Sequence, residues 1–423
     1  MGKLTSEEPC YGTSATAIKR TDNSQPKYIR ITDFDDFGIE DNHEFVTAEN
    51  YSEKHLLHED DILFARTGAT VGKTYFYDGS IGKAIFAGYC IRFRFNKEKV
   101  LPKYVYWYTK TSAFLNWVNG IQRPAGQPNV NKEEYKSFQI SVPDYDTQIR
   151  LASIMDTATN KRNTKKKQAT EQTNTLRKKL LAKLGIRFND YIPVLFSATK
   201  LHNIKQLGLF CNPHSAYLSH MFSVLQNNDY SNGVLKDYVL INPGISRTLL
   251  SDSSPVSFVP MPNVGEKNNI VSYEIKDYRD VKVGFTPFKK GDLLWAKITP
   301  CMQNGKSFIA SDMPTEYGFG STEFHVIRAK DERLYIPFLW MLLSDPHVLE
   351  AAQGMFSGSA GQQRVTEEFL KNFPIVLPPY GLQKELADEV LDSLVTADKL
   401  ESEAEKEWQE ARKQFEKELL GEI

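Results

Sequence analysis

Four stretches of this chain place cations beside carboxamides and small hydroxyls. They are Arg66-Thr67 with Lys73, Arg123 with Gln127 and Asn129, Lys297 with Thr299, Gln303, Asn304 and Lys306, and Ser359 with Gln362 and Arg364. These residue types suit nucleic acid. A guanidinium matches the acceptor pair of guanine, a carboxamide matches the donor and acceptor of adenine, and lysine or a hydroxyl holds phosphate. Any one stretch is also an ordinary polar loop, so the candidate DNA contacts rest on the set rather than on a single residue.

Other chemistries fail on spacing or on missing partners. Gly68-Ala-Thr-Val-Gly72-Lys73-Thr74 ends like a phosphate-binding loop but is one residue too short, and Gly305-Lys306-Ser307 lacks the earlier glycine, so both read as hairpin turns. Asn212-Pro213-His214 and Asn242-Pro243-Gly244 lack the Pro-Pro-aromatic run of an adenine methyltransferase. Asp33-Phe34-Asp35-Asp36 has no Glu-x-Lys nearby and reads as a solvated turn. His55 and His58 have no third ligand and read as surface residues. Cys10, Cys90, Cys211 and Cys301 form no CxxC, which points to reduced thiols. The expectation is no catalytic residue, no metal and no cofactor.

The elements that must carry the polar stretches are written twice. Glu59-Asp-Asp-Ile-Leu-Phe-Ala-Arg66 is echoed by Lys290-Gly-Asp-Leu-Leu-Trp-Ala-Lys297. Ala125-Gly126-Gln127 returns as Ala360-Gly361-Gln362, Val130 as Val365, Phe138 as Phe373, Ile140 as Ile375, Val142-Pro143 as Leu377-Pro378, and Gln148 as Gln383, all at one spacing. A repeat of that length is the size of a domain. With 423 residues, 41% of them hydrophobic, the chain has material for two cores. No stretch approaches the roughly 20 apolar residues of a membrane span, and the expectation is a cytoplasmic protein without membrane association. A net charge of -1 gives no overall basic footprint, so any nucleic-acid contact must come from local asymmetry.

Within the first copy, Cys90-Ile-Arg-Phe-Arg-Phe95 alternates as a half-buried strand with one cationic face, and Lys103 to Val118 reads as one helix behind Pro102. Its partner is Pro337 to Leu343. After Pro143, Ile149, Ala152, Ile154, Met155 and Ala158 take helical spacing that resumes at Leu176, Leu180, Leu181 and Leu184 and stops at Gly185. A matching helix follows Pro379. Each is about 40 residues and about 60 Å long. Lys161 to Arg187 holds ten Lys and Arg against one acid, whereas Lys384 to Glu418 holds twelve Asp and Glu against six Lys and Arg. With no evident domain to lie on, the two helices are expected to pair as an intramolecular coiled coil selected by charge, the alternative being two independent solvated helices. Tyr217, Leu218, Met221, Phe222 and Leu225 suggest a linker helix before the second copy.

The duplication, the two helices and the runs Val142-Pro-Asp-Tyr-Asp-Thr-Gln148 and Pro378-Pro-Tyr-Gly-Leu-Gln383 resemble the specificity subunit of Type I restriction-modification systems. The resemblance covers nearly the whole chain. It departs where the first copy lacks paired prolines and where the first domain starts without a leading helix, which leaves closure of the helix ring at that end unassigned. It implies an α+β fold of two homologous α/β target-recognition domains, separated by two long antiparallel helices with pseudo-twofold symmetry. The domains are 1–145 and 187–378, the latter with an N-terminal linker helix, and the spacer helices are 146–186 and 379–423. The resemblance further implies a non-catalytic partner of double-stranded DNA, of two adenine-methyltransferase subunits and of restriction/motor subunits. The competing readings are a protein-binding scaffold and a degenerate nuclease or methyltransferase.

Overall fold

The computed structural model of the chain describes residues 1–39, 43–121, 128–186, 230–266, 269, 271–353, 356–357 and 363–419. They divide into two compact units, Met1–Lys166 with Glu401–Ile423, and Lys167–Leu400. The expected linker helix lies outside the described residues.

Unit one contains β1 (Cys10–Tyr11), β2 (Ala17–Lys19), β3 (Lys27–Ile29), β4 (Val46–Ala48), β5 (Asp61–Ala65), β6 (Thr74–Tyr77), β7 (Ala84–Phe86) and β8 (Cys90–Phe93). Helices α1 (Pro102–Tyr108), α2 (Ser112–Ile121), α3 (Lys132–Ser137) and the first part of α4 (Tyr145–Lys183) follow. An antiparallel sheet runs β1-β8-β5-β6, and β3 pairs parallel to β7. Every residue of β5 is buried. Alternation sends Ile62 and Phe64 into the core beneath α1 to α3, and Leu63 and Ala65 into a second core with Ile29 and Phe86. A strand covered on both faces is apolar along its length, which is why Ile62 to Ala65 show no polar alternation.

Unit two contains β9 (Ser231–Val234), β10 (Val239–Ile241), β11 (Pro255–Val259), β12 (Glu274–Asp277), α5 (Tyr278–Val281), β13 (Thr286–Lys289), β14 (Leu293–Ala296), β15 (Ser307–Ile309), β16 (Tyr317–Gly320) and β17 (Phe324–Ala329). Then come α6 (Ile336–Leu343), α7 (Pro346–Gln353), β18 (Phe356–Ser357), β19 (Arg364–Val365), α8 (Glu367–Asn372), β20 (Pro374–Leu377) and α9 (Tyr380–Leu419). Its main sheet, β10-β17-β14-β15, repeats the order of unit one, and β11 pairs parallel to β16 as β3 does to β7. Leu293 and Trp295 again face one core, Leu294 and Ala296 the other.

The echoed aspartates stand at the start of the central strand, Asp61 as the first residue of β5 and Asp292 just before β14. Buried Asp61 takes Arg94 Nε at 2.7 Å and Nη2 at 2.8 Å, plus the His58 amide at 2.8 Å. Buried Asp292 takes Arg328 Nε and Nη2, both at 2.7 Å, plus the Lys289 amide at 2.9 Å. A carboxylate so buried persists because each oxygen is bonded. The expected cationic face of β8 is therefore neutralised. Arg94 serves Asp61, while buried Arg92 donates to the carbonyls of Lys54 and Leu56 at 3.0 and 3.1 Å and pairs with Glu7.

Other expectations are corrected. The helix read from Lys103 to Val118 is two, because Thr109 and Thr111 turn their hydroxyls back onto the carbonyls of Tyr106 and Tyr108 at 2.6 and 2.7 Å and end α1. His55 is buried, with its ring edge-on to Phe86. Asp33 is buried too and receives Arg30 through two nitrogens. Ile149 is 48% exposed, and Leu151 takes its place in the core.

The long helices do have domains to lie on. In unit one, Leu151, Ala152 and Met155 of α4 and Trp408 and Phe415 of α9 join the core under α1. In unit two, Leu180, Leu181 and Leu184 meet Leu386, Ala387 and Val390 in the core under α6. Pairing within unit one is antiparallel: Arg150 meets Glu418, Thr159 meets Trp408 at 3.0 Å, and Arg162 meets Glu405 at 2.9 Å. In unit two, Thr173 meets Ser393 at 3.4 Å and Lys183 meets Glu385 at 3.4 Å, again antiparallel. The exposed ion pairs among these, Arg150 with Glu418 and Lys183 with Glu385, contribute little to stability, and their charge pattern selects the partner instead.

Gln148 and Gln383 fasten these helices to their units. The buried Gln148 carboxamide accepts the Leu101 amide, which opens α1, at 2.8 Å and donates to the Pro143 carbonyl at 2.8 Å. Gln383 accepts the Tyr335 amide at 2.9 Å and donates to the carbonyls of Pro378 and Arg333, both at 2.8 Å. Replacing Gln383 by leucine removes three hydrogen bonds to the backbone, the one to Pro378 fully buried, and is expected to cost about 2 kcal/mol in denaturant unfolding of the full chain. A loss below about 1 kcal/mol would contradict this role.

Candidate nucleic-acid interface

The candidate side chains gather where the central strand leaves the sheet. In unit one the chain passes from β5 through Arg66 and Thr67 into a short turn, beside the segment that carries Asn129. Three backbone bonds fix this corner: Arg66 N–H to Tyr89 O at 3.0 Å, Val130 N–H to Arg66 O at 2.8 Å, and Gly68 N–H to Pro128 O at 2.9 Å. Unit two repeats them as Lys297 N–H to Glu323 O at 2.9 Å, Val365 N–H to Lys297 O at 2.9 Å, and Thr299 N–H to Gln363 O at 3.0 Å. Arg66, Thr67 and Asn129 are thereby brought together, as are Lys297, Thr299 and Arg364.

The side chains on these frames differ. The Arg66 guanidinium lies 4.9 Å over the Tyr11 ring and donates to Asn129 Oδ1 at 3.2 Å, and among the described residues its Nε finds no acceptor. Stacking and one hydrogen bond fix the plane of its donor fork. In unit two, Arg364 Nε and Nη2 each reach a Glu323 carboxylate oxygen at 2.8 Å. That bonding holds the Glu323 carboxyl below the usual carboxylate range. His325, two residues along, has its Nε2 2.9 Å from the Val365 carbonyl, so that nitrogen carries the proton, and burial lowers the imidazole's affinity for a second one.

The remaining candidates sit in the hairpin turns. Lys73 lies across from Ala65, whose amide donates to the Lys73 carbonyl at 2.9 Å. The run through Gly72 joins two antiparallel strands, with Gly72 at φ +87°, and so is not the strand-to-helix turn of a phosphate-binding loop. Gln303 and Asn304 are exposed in the turn between β14 and β15, where Asn304 donates to Glu266 at 2.9 Å. Lys306 spends its ammonium on the Val264 carbonyl at 2.9 Å, tying that turn to the neighbouring segment. Arg123, Gln127, Ser359 and Gln362 lie outside the described residues. Sequence reasoning missed Tyr11 and Glu323, because each meets its cation across a long stretch of chain and no residue pattern marks the meeting.

Among the described residues no three His, Cys, Asp or Glu side chains cluster as metal ligands, and no helix is long and apolar enough to cross a membrane. The family described as the Type I restriction modification DNA specificity domain matches residues 12–172 and 243–408. The chain is similar to the specificity subunits of the Type I restriction enzymes EcoEI and EcoAI of Escherichia coli. It is 36% identical to the first over 171 residues, 40% of this chain and 28% of that protein. To the second it is 36% identical over 165 residues, 39% of this chain and 28% of that protein. The matched part thus spans little more than a quarter of either relative. The crystal structure of a Type-I restriction-modification S subunit from M. genitalium is 12% identical, covers 99% of this chain and 94% of that one, and gives a TM-score of 0.41.

Arg66→Ala is expected to weaken duplex-DNA binding by about 1–3 kcal/mol while leaving the melting temperature near wild type. Unchanged affinity in a titration at fixed salt would remove Arg66 from the interface.

Proposed function

Because the chain belongs to the Type I restriction modification DNA specificity family, we propose that it is a DNA-reading subunit whose two copies of one fold each read half of a bipartite, asymmetric site. Duplication carries the reading. Each of the two family matches takes in the inner strands of one main sheet, one polar corner and most of one long helix. Two readers on a common frame with different corner residues are what an asymmetric site requires.

On this reading, residues 1–145 and 187–378 are the target-recognition domains, and the helices at 146–186 and 379–423 set the spacer and recruit two methyltransferase subunits. Restriction/motor subunits complete the assembly, which acts in the cytoplasm. The chain itself is non-catalytic. Its net charge of -1 supplies little general attraction to phosphate, so partner subunits are assigned much of the grip on double-stranded DNA.

The spacer role is open to a direct test. Inserting seven helical residues into both long helices, after Lys166 and after Leu400, adds about 10 Å, or about three base pairs. The recognised motif should keep both half-sites and lengthen its spacer by that amount. An altered half-site, or an unaltered spacer, would refute the proposal.

A further inference from the structure

The frame of the corner repeats between the units, and the three side chains mounted on it do not. The residues joined by equivalent backbone bonds are Arg66, Tyr89 and Asn129 in unit one, and Lys297, Glu323 and Arg364 in unit two. One place thus changes from a phenol to a carboxylate. Tyr89 is 61% exposed, among the most exposed large hydrophobic residues described. Glu323 spends both oxygens on a single guanidinium.

An acid on a surface that meets phosphate is unfavourable unless it does something a neutral residue cannot. Bonded to two nitrogens of one guanidinium, a carboxylate fixes the plane in which that arginine presents its donors. A guanidinium held in one plane is what recognition of the major-groove edge of guanine calls for. In unit one the corresponding surface has a ring at Tyr89, a ring-stacked cation at Arg66 and a carboxamide at Asn129, a different set of groups to offer a base.

We propose that Tyr89 and Glu323 are specificity-determining residues, one for each half-site. Glu323 is a positioning residue that aims Arg364 at a guanine, and Tyr89 shapes the equivalent reading position with Arg66 and Asn129. The inference rests on the DNA-reading function proposed above.

The test uses the full chain, co-expressed with the methyltransferase subunits of its own system, to select bound duplexes from a random DNA library that is then sequenced. Wild type should return a bipartite motif. No motif at all would overturn the function and the inference with it. Glu323→Ala and Arg364→Lys should each relax the same base pair of one half-site, lowering discrimination there about 5- to 150-fold, with the other half-site unchanged. Tyr89→Ala should change only the other half-site. Glu323→Gln keeps the shape and one acceptor, so it should relax the same base pair to a lesser extent, and it remains readable if the alanine variant does not fold. A wild-type motif from these variants, or uniformly weaker binding with no change of motif, would overturn the inference.

Discussion

A carboxamide buried at the root of each long helix is the constraint on which the architecture depends. Gln148 and Gln383 each bond the backbone at the start of a domain helix and the backbone just before a long helix. Glutamine suits the position because it both donates and accepts, and it reaches across two chain segments without bringing a charge into a dry site. A glutamate would offer two acceptors to a place that needs a donor as well. With that junction fixed, Leu151 and Met155 in unit one, and Leu386 and Val390 in unit two, enter the cores of their own units.

A second device is repeated at the other end of the scaffold. The Asp61–Arg94 and Asp292–Arg328 pairs tie the central strand to its neighbour just after the turn that precedes it. Asp60 in that turn adopts φ 73°, and Gly291 stands at the equivalent place with φ 90°. The strand that begins there ends at the polar corner. A strand anchored at its start by a buried ion pair and at its end by three backbone bonds gives the corner residues a rigid mount.

Much of this was legible in the sequence because duplication is read by position and needs no knowledge of contacts. The strand runs, the hairpin glycines and the two glutamines each recur in the same order, and opposite charge on the two long helices foretold their pairing. What failed were inferences from residue type alone. Arg92 and Arg94 look like a cationic face until Glu7 and Asp61 are seen to occupy them. Asp33 looks solvated until Arg30 folds onto it. Burial of a charge depends on a partner distant in sequence or on a local fold-back, and neither is visible in a pattern of single letters. The corner was half legible for the same reason: its cations were evident, and the acid that aims one of them was not.

The central claim is that two similar units read two different DNA words. Its most direct measurement is the base-resolution methylome of the host with and without this gene. The account predicts one bipartite motif, with two unlike halves flanking a spacer of unspecified sequence, whose methylation vanishes when the gene is deleted. A methylome that deletion leaves unchanged, or a lost motif that is short and uninterrupted, would contradict it.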